Sequence, residues 1–341
     1  MKARNTTSNF SRKREVLQEV IPLDAPFWIC VDVSSVCNIT CNYCVQYDVR
    51  INRRKDFYRG IMPLELAKKI VDDLHEFDTK VKVVSFYGWG EPLLNPDLSE
   101  IIRYARNSGA IGSVETITNG ILLTHEQSNK LIDAGLQRIN ISVQSVTSDG
   151  YYDVCGERID FDNFVSNIRY MYEHKTNDLV MHIKIGSENP KSYENEKFYQ
   201  IFDTICDEIF VEQIIDVRED RTENTHLPGV IGTGVFGQLP VKRMVCPYIF
   251  FRMMVSVNGQ CALCNADWYN EVVVGDVKEQ SIREVWRGVA LCNLQKKHLR
   301  GERNDIELCS KCTNIKYYPT DNIDAYASDL LLKIEGGAGT I

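Results

Sequence analysis

Residues 26–44 read PFWICVDVSSVCNITCNYC, an apolar run from Pro26 to Ser34 followed at once by Cys37, Cys41 and Cys44. The run predicts a first strand, and the three thiols crowd into the loop at its C-terminal end. Three thiolates are one fewer than the irons of a four-iron cubane, so one iron would stay open for a substrate or cofactor. A structural zinc knuckle uses similar ligands. The loop by itself leaves both readings open.

Downstream, strand-like and helix-like stretches alternate. Val81 to Phe86 precedes Leu98 to Arg106, Val114 to Thr118 precedes Thr124 to Ala134, and Ile139 to Val143 precedes Phe161 to Tyr172. Val180 to Ile185 then precedes Glu194 to Phe202, Glu208 to Val211 makes a sixth strand, and Leu64 to Leu74 fills the gap after the cysteine loop. Thr124 with Gln127 predicts a capping box, and Gly135 stands where that helix should stop. Strands alternating with helices imply a parallel sheet with right-handed crossovers. Six units predict an α/β fold, an incomplete (β/α)6 TIM-like barrel. In the fourth strand Ile139, Ile141 and Val143 oppose Asn140, Ser142 and Gln144, and in the fifth Met181, Ile183 and Ile185 oppose His182 and Lys184. A polar inner face predicts a lumen that takes a charged ligand. It makes His182 and Lys184 candidates to meet substrate or cofactor.

The chain of 341 residues, 44% hydrophobic and 25% charged, is long enough for a large core or two modest ones. A net charge of −8 argues against a broad basic surface for nucleic acid. The absence of an apolar N-terminal segment or spanning-length run leads us to expect a cytoplasmic protein with no membrane partner. In that reducing setting, twelve cysteines point to metal or redox chemistry before disulfides. The expected organisation is a polar lead (1–25), a barrel (26–212), a linker or mobile loop (213–245, with Arg218 to Gly237 rich in charge, Gly and Thr), a cysteine module (246–320) and a tail (321–341) frayed from Gly336. In the module, Phe250 to Val257 and Cys261 to Asp267 flank Asn258-Gly259, a hairpin signal. Ser281 and Glu284 cap a helix running towards His298.

The CxxxCxxC spacing, with Tyr43 before the third cysteine, resembles the signature of the radical S-adenosylmethionine (SAM) superfamily. Gly88-Trp89-Gly90-Glu91-Pro92 after the second strand is similar to that family's Gly-Gly-Glu-Pro element, with Trp89 replacing a glycine. Thr118-Asn119 after the third strand and Ser142 with Gln144 after the fourth match its cofactor-contacting positions, and Arg158 matches a family arginine more loosely. The resemblance covers about residues 26 to 212. It implies that SAM binds the open iron of a [4Fe–4S] cluster on Cys37, Cys41 and Cys44, and that its cleavage gives a 5′-deoxyadenosyl radical. Tyr43 is then expected near the adenine, and Gly90 and Glu91 at the methionine amino group. Thr118, Asn119, Ser142, Gln144 and Arg158 are expected around ribose and methionine. An external electron donor such as flavodoxin or ferredoxin is implied as a partner.

Cys246, Cys264, Cys309 and Cys312 resemble the SPASM or twitch extension of such enzymes, which implies a second, auxiliary [4Fe–4S] cluster on these four. Four cysteines suit a zinc ribbon as well. Of the remaining thiols, Cys30, Cys155, Cys206 and Cys292 are expected to be inert. Cys261, near a ligand on the hairpin, is a candidate to return a hydrogen atom to a substrate radical, as in related epimerases. With some 25 residues before the barrel, no leader-peptide-binding winged helix is expected. The favoured substrate is therefore a small molecule, namely a sugar, aminocyclitol or nucleotide sugar, undergoing dehydrogenation or epimerisation. A peptide maturase and a non-catalytic zinc protein stand as rivals.

Overall fold

A computed structural model describes residues 2–7, 14–50, 57–187, 193–215 and 232–337. Residues 216–231 of the expected linker fall outside the described residues, as does the end of the tail; Gly336 belongs to a helix, Ala327–Gly337.

The ten strands are β1 (Arg4–Asn5), β2 (Trp28–Val31), β3 (Val81–Phe86), β4 (Ile111–Thr118), β5 (Arg138–Val143), β6 (Val180–Ser187), β7 (Glu208–Gln213), β8 (Arg252–Val255), β9 (Gln260–Ala262) and β10 (Val273–Asp276). They form one sheet in the order β1-β7-β6-β5-β4-β3-β2-β8-β9-β10. From β2 to β7 every neighbouring pair is parallel, so the six expected strands stand in chain order as an open barrel. Helices cover the outside by burying one stripe each. In Leu98–Asn107 the buried residues Leu98, Ile101, Ile102 and Ala105 recur at helical spacing, and each large one contributes roughly 1.5–3 kcal/mol on burial.

Local signals set the boundaries. Thr124 accepts from the Gln127 amide at 3.2 Å and starts His125–Asp133, and Ser281 with Glu284 completes a capping box before Ile282–Trp286. The helix expected from there to His298 is broken at Gly288 into Ile282–Trp286 and Val289–Leu299. The helix Ser148–Cys155 was not anticipated; it starts on a Thr147 cap and ends on Gly156.

Both sheet edges depart from expectation. At one, β1 pairs in parallel with β7, so part of the polar lead is a strand. At the other, β8 pairs in parallel with β2 along Trp28–Val31, and β8, β9 and β10 continue antiparallel. The C-terminal hairpin thus extends the barrel sheet itself. Charged residues close the barrel's lower end: Arg138 pairs with Glu208, both buried, and Arg4 of β1 also holds Glu208. Burial of such charges is tolerable because they are paired. Among the described residues no helix is long and apolar enough to cross a membrane.

Candidate active site

The C-terminal strand ends of the barrel surround a cavity of about 330 Å³. Cys37, Cys41 and Cys44 line it, and so do Tyr43, Gly90, Glu91, Thr118, Asn119, Ser142 and Gln144. The cysteine loop is fixed from two sides. The Thr40 and Asn42 amides donate to the carbonyls of Cys155 and Val154 at 3.2 and 2.9 Å, and Gln46 Nε2 donates to the Trp89 and Ser35 carbonyls at 2.6 and 3.0 Å.

Glu91 is the most constrained group. It is 2% exposed, and its Oε1 accepts from Thr118 Oγ1 at 2.6 Å and from the Leu93 amide at 3.0 Å, while Oε2 accepts from the Asn119 amide at 2.8 Å. Burial pushes its carboxyl up to about 7, against the pull of those three bonds. Asn119 Nδ2 donates to Asn38 Oδ1 at 2.7 Å, which ties the third strand's end to the cysteine loop. Tyr43 donates its hydroxyl to Gln144, whose Nε2 donates to the Ser142 carbonyl at 2.9 Å. Gly90 allows the backbones to close up, since a Cβ there would lie 2.2 Å from the Val36 carbonyl oxygen and 2.3 Å from that of Ser34.

The far side of the cavity is built by residues of another kind. Lys184 on β6 donates to Glu212 on β7 at 2.7 Å, and Tyr87, Gln213, Trp268 and Tyr318 stand around the same space. Glu212 escaped the sequence reading because the sixth strand was ended at Val211; continuing it to Gln213 puts Glu208, Phe210 and Glu212 on one face.

Three expectations need correction. His182 does not line the cavity: it sits at the closed end, fully buried, with Nε2 3.3 Å from the Thr6 carbonyl oxygen, and burial together with Arg138 and Lys184 lowers it to about 3. Arg158 is a surface residue, 3.2 Å from Asp149 and 4.2 Å above the Tyr152 ring. Cys261 faces the core beneath the hairpin, and burial pushes it up to about 12. The inward face of a strand reaches the cavity only at its upper end, which periodicity cannot reveal.

Cys155, expected to be inert, abuts Cys41; that hydrogen bond, then burial and the neighbouring Cys44 and Cys37, hold the Cys41 thiol well above its ordinary value. A second cavity is lined by Cys246, Cys264, Cys309 and Cys312 together with Tyr248, Asn265 and Arg303. Burial pushes Cys246 and Cys309 up to about 12, and Cys264 well up. Such thiols give up their protons when a metal replaces them. Among the described residues no three His, Cys, Asp or Glu side chains close on a point that one metal ion could fill. A cubane asks for thiolates spread over its corners, and both cysteine sets suit it by donor type.

A family model for the radical SAM superfamily matches residues 31–195, the span from the first strand through the fifth. Residues 31–195 thus carry a radical SAM domain, as the cysteine loop and the strand-end motifs led us to expect. A second model, the SPASM iron–sulfur cluster-binding domain, matches residues 246–313. The chain is 22% identical over 294 residues to the S-adenosyl-L-methionine-dependent 2-deoxy-scyllo-inosamine dehydrogenase of Niallia circulans, covering 86% of this chain and 95% of that one. It is 32% identical over 132 residues to a probable GTP 3′,8-cyclase of Methanococcus aeolicus. The latter match spans 38% of this chain and 41% of the cyclase. The fold is also that of Streptococcus suis SuiB bound to S-adenosylmethionine, at a TM-score of 0.64 and 16% identity over 88% of this chain and 74% of that one. The two matched domains imply SAM and iron–sulfur clusters as cofactors.

Proposed function

We propose that this radical SAM enzyme abstracts a hydrogen atom from a small, hydroxyl-bearing substrate, a sugar, aminocyclitol or nucleotide sugar, and oxidises or epimerises it. The observation that carries the reading is the two-sided cavity. One side gathers three thiols and the Glu91–Thr118–Asn119 network, and the other presents the Lys184–Glu212 pair. Cys37, Cys41 and Cys44 would hold a [4Fe–4S] cluster with one open iron, and Cys246, Cys264, Cys309 and Cys312 an auxiliary one. When bound, the first cluster supplies the electron that converts SAM to a 5′-deoxyadenosyl radical.

The protein's own part is binding and orientation. Glu91 would accept from the methionine amino group, and its bonds to Thr118 and Asn119 keep it in place for that contact. Tyr43 and Gln144, bonded to each other, line the cavity and would face the adenine and ribose. Lys184 and Glu212 offer a donor and an acceptor to substrate hydroxyl or amino groups. Alignment along 95% of the 2-deoxy-scyllo-inosamine dehydrogenase, at 22% identity, supports an aminocyclitol as the first substrate to try. Reduction requires an external donor, and flavodoxin or ferredoxin fits that need.

The experiment is anaerobic reconstitution, reduction, and assay for 5′-deoxyadenosine with and without 2-deoxy-scyllo-inosamine and related cyclitols and sugars. Brown protein with about eight irons per chain is expected from two cubanes, falling to about four in Cys264→Ala. No 5′-deoxyadenosine from a fully loaded, reduced sample under every condition refutes the mechanism. Its formation, with stimulation by a peptide and by none of the small molecules, refutes the substrate assignment.

A further inference from the structure

Arg252 on β8 is 7% exposed and runs between the two cavities. Its Nη2 donates to Tyr87 Oη at 2.9 Å, and Tyr87 lines the active-site cavity. Its Nη1 donates to Asn265 Oδ1 at 3.2 Å, and Asn265, directly after Cys264, lines the cavity of the four cysteines. The guanidinium carbon lies 4.0 Å from the Trp28 ring centre and 5.6 Å from that of Tyr248, another wall of the cysteine cavity. The Cys30 thiol is a further partner, and none of these groups is a carboxylate. Among the described residues no carboxylate lies within ion-pair distance of Arg252, whereas Arg138, the buried arginine at the barrel's lower end, has Glu208.

A guanidinium cannot shed its proton at any ordinary pH. Holding it inside a protein without a counter-charge is costly, and neutral hydrogen bonds and ring faces offset only part of that cost. An anion is within reach through Asn265, which lines the cavity of the four cysteines, where Arg303 is the cation in the wall itself. Four thiolates around a four-iron core carry net negative charge in either redox state, and one unit more after reduction. A fixed cation therefore attracts the reduced form more strongly, and net charge with nearby hydrogen bonding sets the potential of such clusters.

We propose that Arg252 is a positioning residue for the auxiliary centre: together with Arg303 in the cavity wall, it supplies counter-charge to the Cys246, Cys264, Cys309 and Cys312 site and raises that centre's reduction potential. This rests on the auxiliary-cluster reading given above. Through Tyr87 and Asn265 the same side chain also fixes the spacing between the two cavities.

The test uses the full chain carrying Cys37→Ala, Cys41→Ala and Cys44→Ala, so that only auxiliary iron remains, reconstituted anaerobically and titrated under electron paramagnetic resonance. About four irons are expected in this background. If it binds none, the auxiliary-cluster reading itself fails. With iron present, Arg252→Gln is expected to lower the midpoint potential, and Arg252→Lys, which keeps the charge but cannot span both partners, to fall between. An unchanged potential in Arg252→Gln with its iron retained overturns the proposal. If Arg252→Gln does not load, Arg252→Lys decides: loading with a potential close to the parent's supports the counter-charge role, and failure of both variants to load overturns it in favour of a purely structural one.

Discussion

Glu91→Gln is the sharpest probe of the cofactor side. The carboxylate accepts three bonds with two oxygens, so an amide must turn its NH2 towards one donor; facing Asn119 costs least, because Thr118 and Leu93 share the other oxygen. One buried amide N–H then loses its partner, at about 1–3 kcal/mol of stability. SAM loses a charged acceptor for its amino group, a loss of about 1.5–3 kcal/mol, or about 10- to 150-fold in Kd. Titration calorimetry on reconstituted protein of matched iron content measures it. The pH dependence gives a second reading. With the free carboxyl at about 7, a proton must leave before a cationic donor can be held, so wild-type affinity should weaken as pH falls from 8 to 6, by up to about tenfold per unit, while the variant stays flat. Unchanged affinity in Glu91→Gln with iron intact, or the same pH slope in both proteins, refutes the role given to Glu91.

Gly90→Ala would place a Cβ against two backbone carbonyls of the loop leaving β2, and backbone cannot step aside as a side chain can. Iron should drop to about four per chain, with the auxiliary share retained. Cys261→Ala should leave turnover and product stereochemistry unchanged and cost about 1 kcal/mol in urea unfolding, as expected of a core residue; a change in stereochemistry would restore the thiol as hydrogen donor. Asp32 is fully buried, and burial pushes it up to about 7, with the Trp89 and Ser34 amides pulling the other way though neither makes a bond of normal geometry. An acid with a raised folded value binds its proton more tightly when folded, so its contribution to stability is lost as pH rises from about 4 to 7. Asp32→Asn should therefore flatten the wild-type decline, by about 2–4 kcal/mol between pH 4 and 8, and parallel curves for the two proteins in urea unfolding would sink the assignment.

The sequence by itself determined the alternation of β2 to β7 with their helices, and with it the barrel, because hydrophobic period, caps and glycines act over a few residues. The cysteine loop, Glu91, Thr118-Asn119 and the Ser142–Gln144 end of β5 were legible too, since each lies at a strand's C-terminal end or in the loop that leaves it, and all of them line the one cavity. Tertiary structure decided what depends on distant partners. Lys184 and His182 share one face of β6, yet one reaches the cavity and the other is sealed at the barrel's closed end, a difference set by depth along the strand. Arg158 left the site because its helix–loop junction turns to solvent, and Cys261 because β9 turns it into the core. Glu212 meeting Lys184, β8 joining β2, and Arg252 wedged between the cavities are all pairings across long stretches of chain. No local pattern encodes them, because packing of the whole sheet settles which residues come face to face.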